Sequence, residues 1–240
     1  MQWEAPMDFN EVMAFLEAHG SERTKATLVK HGAREPFFGV KVSDLKTVVK
    51  KVKKDHGLSL ELYATGNSDA MYLAGLIADP SQMTPAILED WVQGAYWYYI
   101  GEFTVPWVTS ETPHCHALAA QWIRRPEEGV AAAGWCTYSS MMQVRPDEDL
   151  DLDLLRALIQ EVAQTIHDQQ NRVRHVMNAF LIACTGVASL VDEARAAAEK
   201  VGKVSVDMGG TACKVPLATA YIDKVVDKGR VGRKRKSARC

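Results

Sequence analysis

Trp91, Tyr96, Trp97, Tyr98 and Tyr99 crowd a nine-residue stretch, and Trp107, Trp122 and Trp135 follow. Rings at helical spacing ordinarily fill cores. Successive helical positions, however, point about 100° apart, so the run 96–99 cannot face inward throughout. Some of these rings, Trp97 and Tyr98 foremost, must line a surface or a groove. Rings beside cations suit nucleic acid, since bases stack on the rings and phosphates pair with the cations. Three basic clusters offer such cations: Lys50, Lys51, Lys53 and Lys54; Arg124 and Arg125; Arg172 and Arg174. Each cluster reads equally well as a solvated helix face.

Other chemistry is thinly represented. His114-x-His116 has no third ligand near it in sequence, and structural zinc sites show two ligand pairs; no metal is expected. Five cysteines, Cys115, Cys136, Cys184, Cys213 and Cys240, include no C-x-x-C pair. An odd number without that spacing suits reduced thiols rather than a disulfide framework. Cys136, Cys184 and Cys213 have apolar sequence neighbours, where a thiol behaves as a small hydrophobe with a raised pKa. There is no G-x-S-x-G elbow and no G-x-x-x-x-G-K-[ST] loop. Gly209-Gly210 reads as a turn, and no cofactor is expected.

The elements that must position these residues are amphipathic helices. Apolar stripes recur over 9–19, 21–31, 43–54, 59–64, 69–78, 85–100, 116–124, 127–142, 150–167, 171–184, 187–201 and 216–226. Ser21 and Ser43 are expected N-caps. Only 202–210 alternates like a strand, and an extended loop explains it as well. The pattern predicts an all-α chain. Helix pairs recurring at about 35–45 residues fit HEAT or armadillo repeats, although a compact bundle fits too.

Charge divides the 240 residues unevenly. Lys228, Arg230, Arg233, Lys234, Arg235, Lys236 and Arg239 form a basic end without a single acid, while the other 21 bases face 30 acids. The expectation is one helical domain over 1–227 and a mobile basic tail over 228–240. That tail holds too little apolar surface to fold alone; it is either a solubilising end or a phosphate-binding arm built on Arg233, Lys234, Arg235 and Lys236. No apolar run approaches the roughly 18 residues that a membrane span needs, and the first residues lack a leader pattern. A cytoplasmic monomer is expected, nucleoid-associated if bacterial.

Longer motifs then point to a family. Gly66-Asn-Ser-Asp-Ala-Met-Tyr-Leu-Ala-Gly-Leu-Ile-Ala-Asp-Pro, Met83-Thr, Leu88-Glu-Asp-Trp-Val, Phe38-Gly-Val-Lys-Val-Ser-Asp-Leu, Val130-Ala-Ala-Ala-Gly-Trp and Val173-Arg-His-Val-Met-Asn-Ala together resemble the HEAT-like DNA alkylation repair family. The likeness covers residues 8–185, and 202–216 resembles an ending found in one subgroup. The resemblance implies a HEAT-like α-solenoid. It also implies a glycosylase that removes cationic alkylpurines with a carboxylate near the sugar, flanking tryptophans and a phosphate-binding arginine.

The family pattern W-D-x-x-D sets the first tryptophan and the catalytic aspartate four residues apart, on one helix face. Here Trp97 is kept and the aspartate position is Gly101. Glu102, one residue on, is rotated about 100° away in an α-helix, and is the remaining candidate for a catalytic carboxylate. The arginine and second tryptophan positions fall at Ala132 and Ala179. The leading expectation is therefore a DNA-binding solenoid for duplex, damaged or branched DNA, without conventional glycosylase chemistry. Two alternatives stand beside it: an active glycosylase rearranged around Trp97 and Glu102, and a protein-interaction solenoid, which the acidic body favours because phosphate contacts supply most non-specific DNA affinity.

Overall fold

A computed structural model describes residues 7–239; the N-terminal residues read above for a leader, and Cys240, lie partly or wholly outside the described residues. Helices begin where short polar side chains meet the free amides of a first turn. Asp8 and Glu11 form a reciprocal capping box for α1 (Phe9–Ala18), and Ser21 caps α2 (Glu22–Lys30). The helix α3 (Val42–Val52) starts one residue before Ser43: Lys41 occupies the cap position, and the Ser43 hydroxyl donates to Asp44. Asp55 caps α4 (His56–Ala64), and Asn67 caps α5 (Ser68–Ile77).

The pattern over 85–100 predicts one helix, and the structure breaks it. The helix α6 (Pro85–Gly94), capped by Thr84, stops at Gly94 and Ala95. The chain restarts at Tyr98, widens into a π-helical turn over Ile100–Thr104, and continues as α7 (Val105–Ser110). Pro106 accounts for the widening. It has no N–H for the Glu102 carbonyl, and its ring excludes that carbonyl from the α register. The remaining helices are α8 (Cys115–Trp122), α9 (Glu128–Val144), α10 (Leu152–Thr165), α11 (Asn171–Ala183), α12 (Val191–Val201) and α13 (Ala218–Asp227).

Among the described residues there is no strand. Residues 202–217 are a loop held to α11 by Asn171, whose Nδ2 donates to the Asp207 carbonyl at 2.9 Å and whose Oδ1 accepts from the Asp207 N–H at 2.7 Å. The second helices of successive pairs form one row, with α5 against the π-turn, α7 against α9, α9 against α11 and α11 against α13. Two apolar clusters fill the interior, one around Leu16, Leu62, Leu73 and Ile100, the other around Tyr138, Ile159, Phe180 and Ile222. They meet at α8 and α9. Gly75 lets α5 approach the π-turn, since a Cβ there would lie 2.5 Å from Thr104 Cγ2.

The basic tail, which composition predicts to be a free arm, makes contacts along the body. Residues 232–239 run across the C-terminal ends of four helices of the row. Gly232 N–H donates to the Thr185 carbonyl just after α11 (2.9 Å), and Arg235 N–H to the Gln143 carbonyl near the end of α9 (2.7 Å). Lys234 Nζ reaches the Met142 carbonyl (2.9 Å) and the Asp147 carboxylate (2.7 Å). Ser237 and the Ala238 N–H donate to Glu111, beyond α7, at 2.6 and 2.8 Å. Arg239 donates to the Leu76 and Ala78 carbonyls at the end of α5, at 3.1 and 3.0 Å, and pairs with Glu111. The physical reason lies in the acceptors. Helix C-termini expose unpaired carbonyls and the negative end of the helix dipole, so a segment too polar to fold alone can still dock there.

Candidate nucleic-acid interface

The site grows out of the α6–α7 break. Trp97 turns inward, 7% exposed, and its Nε1 donates to Ser68 Oγ at 2.9 Å. Tyr99 stacks on Tyr72 with centroids 4.7 Å apart, and Tyr96 Oη donates to the Arg34 carbonyl. Tyr98 is half-buried, hydrogen-bonded to His31 Nδ1 at 2.9 Å, with the Arg172 guanidinium 4.3 Å above its ring. The run divides between core and surface at the break in the helix, but Trp97, expected among the surface rings, lies on the buried side, while Tyr96, Tyr98 and Tyr99 are half-buried.

The structure changes the standing of Glu102. In an α-helix it would point away from Trp97. In the structure Trp97, Tyr98 and Glu102 line one pocket of about 200 Å³, together with Gly101, Glu128, Ala132 and Arg172. Gly101 keeps its α-register bond to the Trp97 carbonyl at 3.1 Å, and the widening lies beyond it, where the Val105 N–H reaches the Ile100 carbonyl; Gly101 and Glu102 both line the pocket. Sequence spacing alone misses this.

Glu102 is not a free carboxylate. It is 7% exposed, and Arg172 grips it in bidentate fashion, Nε to Oε1 at 2.7 Å and Nη2 to Oε2 at 2.5 Å. Burial pushes its pKa up while the guanidinium pulls the other way. Glu128 accepts from the Arg172 backbone N–H at 2.6 Å. His175 lies 3.9 Å from the Glu102 carboxylate, and its pKa is pushed down to about 4 by burial, with Arg172 adding to the effect. The result is a compact ion pair under an aromatic lid.

From this pocket a stripe of small and polar residues runs along the helix row. On α9 it comprises Gly129, Ala132, Cys136, Ser139, Ser140 and Gln143, at three- and four-residue spacing; at 1.5 Å per residue it is about 21 Å long. On α11 it continues as Arg172, His175, Ala179 and Ile182. At the far end Ser139, Gln143, Ala179, Ile182, Trp107 and the tail residue Arg235 line a second, open cavity of about 360 Å³. The two positions where the resemblance leads one to expect an arginine and a tryptophan, Ala132 and Ala179, thus sit at opposite ends of one groove.

Several expected phosphate contacts have internal partners instead. Arg124 is paired with Glu161, and Arg125 with Glu89 and Glu127. Arg172 is held by Glu102, Lys234 by Asp147, and Lys54 by Asp79. Arg174 lies part-buried, 3.5 Å from Asn171. Lys50, Lys51 and Lys53 are exposed on and just after α3, outside the groove lining, while Arg233, Arg235 and Lys236 are exposed on the tail. Cys213 is exposed, against its expected apolar setting, whereas burial raises the pKa of Cys136 and Cys184. His116 Nε2 is hydrogen-bonded to the Asp149 carbonyl.

The stretches that carried the resemblance act structurally. The Asp69 carboxylate accepts from the backbone N–H groups of Phe38, Gly39 and Val40 at 2.6, 2.9 and 3.1 Å, locking the loop before α3 to α5. Gly39 has φ +78°, a conformation that favours glycine.

A row of antiparallel helix pairs with one long groove defines a HEAT-like helical repeat protein. The chain belongs to the DNA alkylation repair enzyme family, whose model matches residues 12–194. It is 31% identical over 224 residues to Lin0241 of Listeria innocua and equally to Lmo0209 of Listeria monocytogenes, covering 90% of this chain and 96% of each. A solved structure, 38% identical, superposes with a TM-score of 0.90 over 98% of this chain and 100% of its own. That protein is described as one of a new family related to the HEAT-like repeat DNA glycosylases, with affinity for branched DNA structures.

Proposed function

We propose that this protein binds branched DNA along the groove and does not excise alkylated bases. The observation that carries this reading is the Glu102–Arg172 pair. Excision of a cationic base develops oxocarbenium charge on the sugar, and a carboxylate must stabilise that charge. Two carboxylates line the Trp97 pocket: Glu102 is buried and already paired with a bidentate arginine, and Glu128 accepts from the Arg172 backbone N–H. Withdrawing one transition-state electrostatic group costs on the order of 100- to 1,000-fold in rate. The 38% identity to a structural relative with affinity for branched DNA supports the binding half.

A second reading keeps catalysis and rests on Glu102, which lines the Trp97 pocket. One experiment separates the two. The protein is titrated against a four-way DNA junction and a linear duplex of the same sequence, and then incubated with methylated duplex. The proposal expects preference for the junction and no release of 3-methyladenine or 7-methylguanine. Robust release that disappears in Glu102→Gln establishes the second reading; equal, weak binding to both DNAs removes the first.

A further inference from the structure

The tail cations divide by direction. Lys234 and Arg239 point into the body, and Arg239 is 13% exposed. Arg233, Arg235 and Lys236 are exposed, with no acidic side chain paired to them among the described residues. Docked and exposed side chains are interspersed along one segment, with 233, 235 and 236 outward and 234 and 237–239 toward the body. The docked side meets helix carbonyls, Asp147 and Glu111, all of them acceptors or anions. Without the tail this edge of the groove would present the negative ends of α5, α7, α9 and α11 and would repel a phosphate backbone. With the tail in place the same edge presents three cations, and Arg235 borders the cavity beside Trp107 and Gln143.

We propose that residues 232–239 form a fixed phosphate-binding rail along the groove, with Lys234, Ser237 and Arg239 as its anchors and Arg233, Arg235 and Lys236 as its contacts to the DNA backbone. The proposal rests on the groove being the DNA-binding face. It goes further in assigning the contacts to an ordered segment, with Arg235 at the cavity on the far end of α9 from the Trp97 pocket. Lys234, which composition alone places among the DNA contacts, becomes an anchor.

The test uses the full chain and a fluorescent four-way junction titrated from low to moderate salt. The variants are Arg233→Gln/Arg235→Gln/Lys236→Gln and, as a control of equal charge loss on α3 and its end, Lys46→Gln/Lys50→Gln/Lys53→Gln. Each phosphate left without its cation should reduce the magnitude of the salt slope by about 0.9, so the rail variant should lose about 2.7 and bind at least about tenfold more weakly near 0.1 M salt. Its thermal midpoint should stay unchanged, because the three side chains hold no ion pair within the body. The control should keep both slope and affinity. Equal losses in the two variants would mean that bulk charge acts and would overturn the rail, as would an unchanged slope in the rail variant. If the unaltered protein fails to bind the junction, the proposed function itself falls, an outcome distinct from either.

Discussion

The two ends of the groove solve opposite electrostatic problems. At the Trp97 end an arginine and a glutamate have cancelled each other below the surface, Arg172 with 18% and Glu102 with 5% of its side chain exposed. At the tail end, cations imported from the C-terminus cover carbonyls and carboxylates, and three further cations face solvent. A buried pair is costly to desolvate and is then committed to holding its neighbours. Exposed cations on a fixed backbone stay available to a ligand. The comparison teaches that charge in the sequence predicts binding only after internal partners have been subtracted.

The largest expected effect comes from breaking the buried pair on one side. Arg172→Ala leaves Glu102 charged, buried and unpaired and removes the guanidinium over Tyr98, so it should cost about 3–5 kcal/mol of stability. Denaturant unfolding measures this. Replacing both partners, in Glu102→Gln/Arg172→Met, should recover most of that loss. If the double variant is no more stable than the single one, the pair is more than a packing element, and the contrast between the two ends weakens.

The tail end should yield the next largest effect. Arg239 donates to two carbonyls of α5 and to Glu111, and hydrogen bonds of charged groups are worth about 1.5–3 kcal/mol. Arg239→Ala should therefore lower stability by about 2 kcal/mol, and deleting residues 228–240 should lower it at least as much. A truncated chain as stable as the whole one would return the segment to the mobile arm that its composition suggests, and the distinction between anchors and contacts would go with it.

How much of this was legible in the sequence follows from the range of the forces involved. Helix starts at Asn67, Thr84 and Asp151 depend on side chains two or three residues from the amides they bind, and stripes such as Leu155, Leu158, Ile159 and Val162 are local as well. The π-turn was not legible. Its cause, Pro106, lies beyond the stripe over 85–100 that reads as one helix. The Glu102–Arg172 pair spans 70 residues and has no local signature. The contacts of the tail were not legible for a third reason. Counting apolar residues tests whether a segment can fold alone, and this one docks on carbonyls instead.

A smaller effect should appear on acidification and comes from the Trp97 end. The folded-state pKa of His175 is pushed down to about 4, against 6.5 ordinarily, so between those values the unfolded chain binds more protons than the folded one. Stability should therefore fall as pH drops through this window, by about 1–2 kcal/mol between pH 7 and pH 5. Arg172 Nη2, 3.4 Å away, and Glu102, at 3.9 Å, face the ring in opposite senses. The difference between the protein and His175→Asn isolates the imidazole; it should grow as pH falls, most steeply near pH 5, and level off below about pH 4. If the two pH profiles run parallel, the imidazole does not titrate abnormally and the pocket is wetter than its burial indicates.

The smallest effect is expected at Arg124, which composition ranks beside Arg233 as a phosphate contact. Its guanidinium reaches Glu161 at 2.5 and 2.7 Å, yet it is 59% exposed. Exposed pairs of this kind contribute about 0–1 kcal/mol, so Arg124→Ala should change stability by less than about 1 kcal/mol. The more telling readout is DNA. So weak a pair could open for a phosphate, and pairing alone does not settle whether Arg124 contacts the backbone. Position decides it. Arg124 follows α8 and Glu161 lies on α10, the first helices of their pairs, whereas the groove is lined by α7, α9 and α11. Junction affinity and salt slope should therefore match those of the unaltered protein. A slope reduced by about 0.9 would place a phosphate on the outer helices and show that DNA wraps beyond the groove, and the contrast between its two ends would no longer describe the whole binding surface.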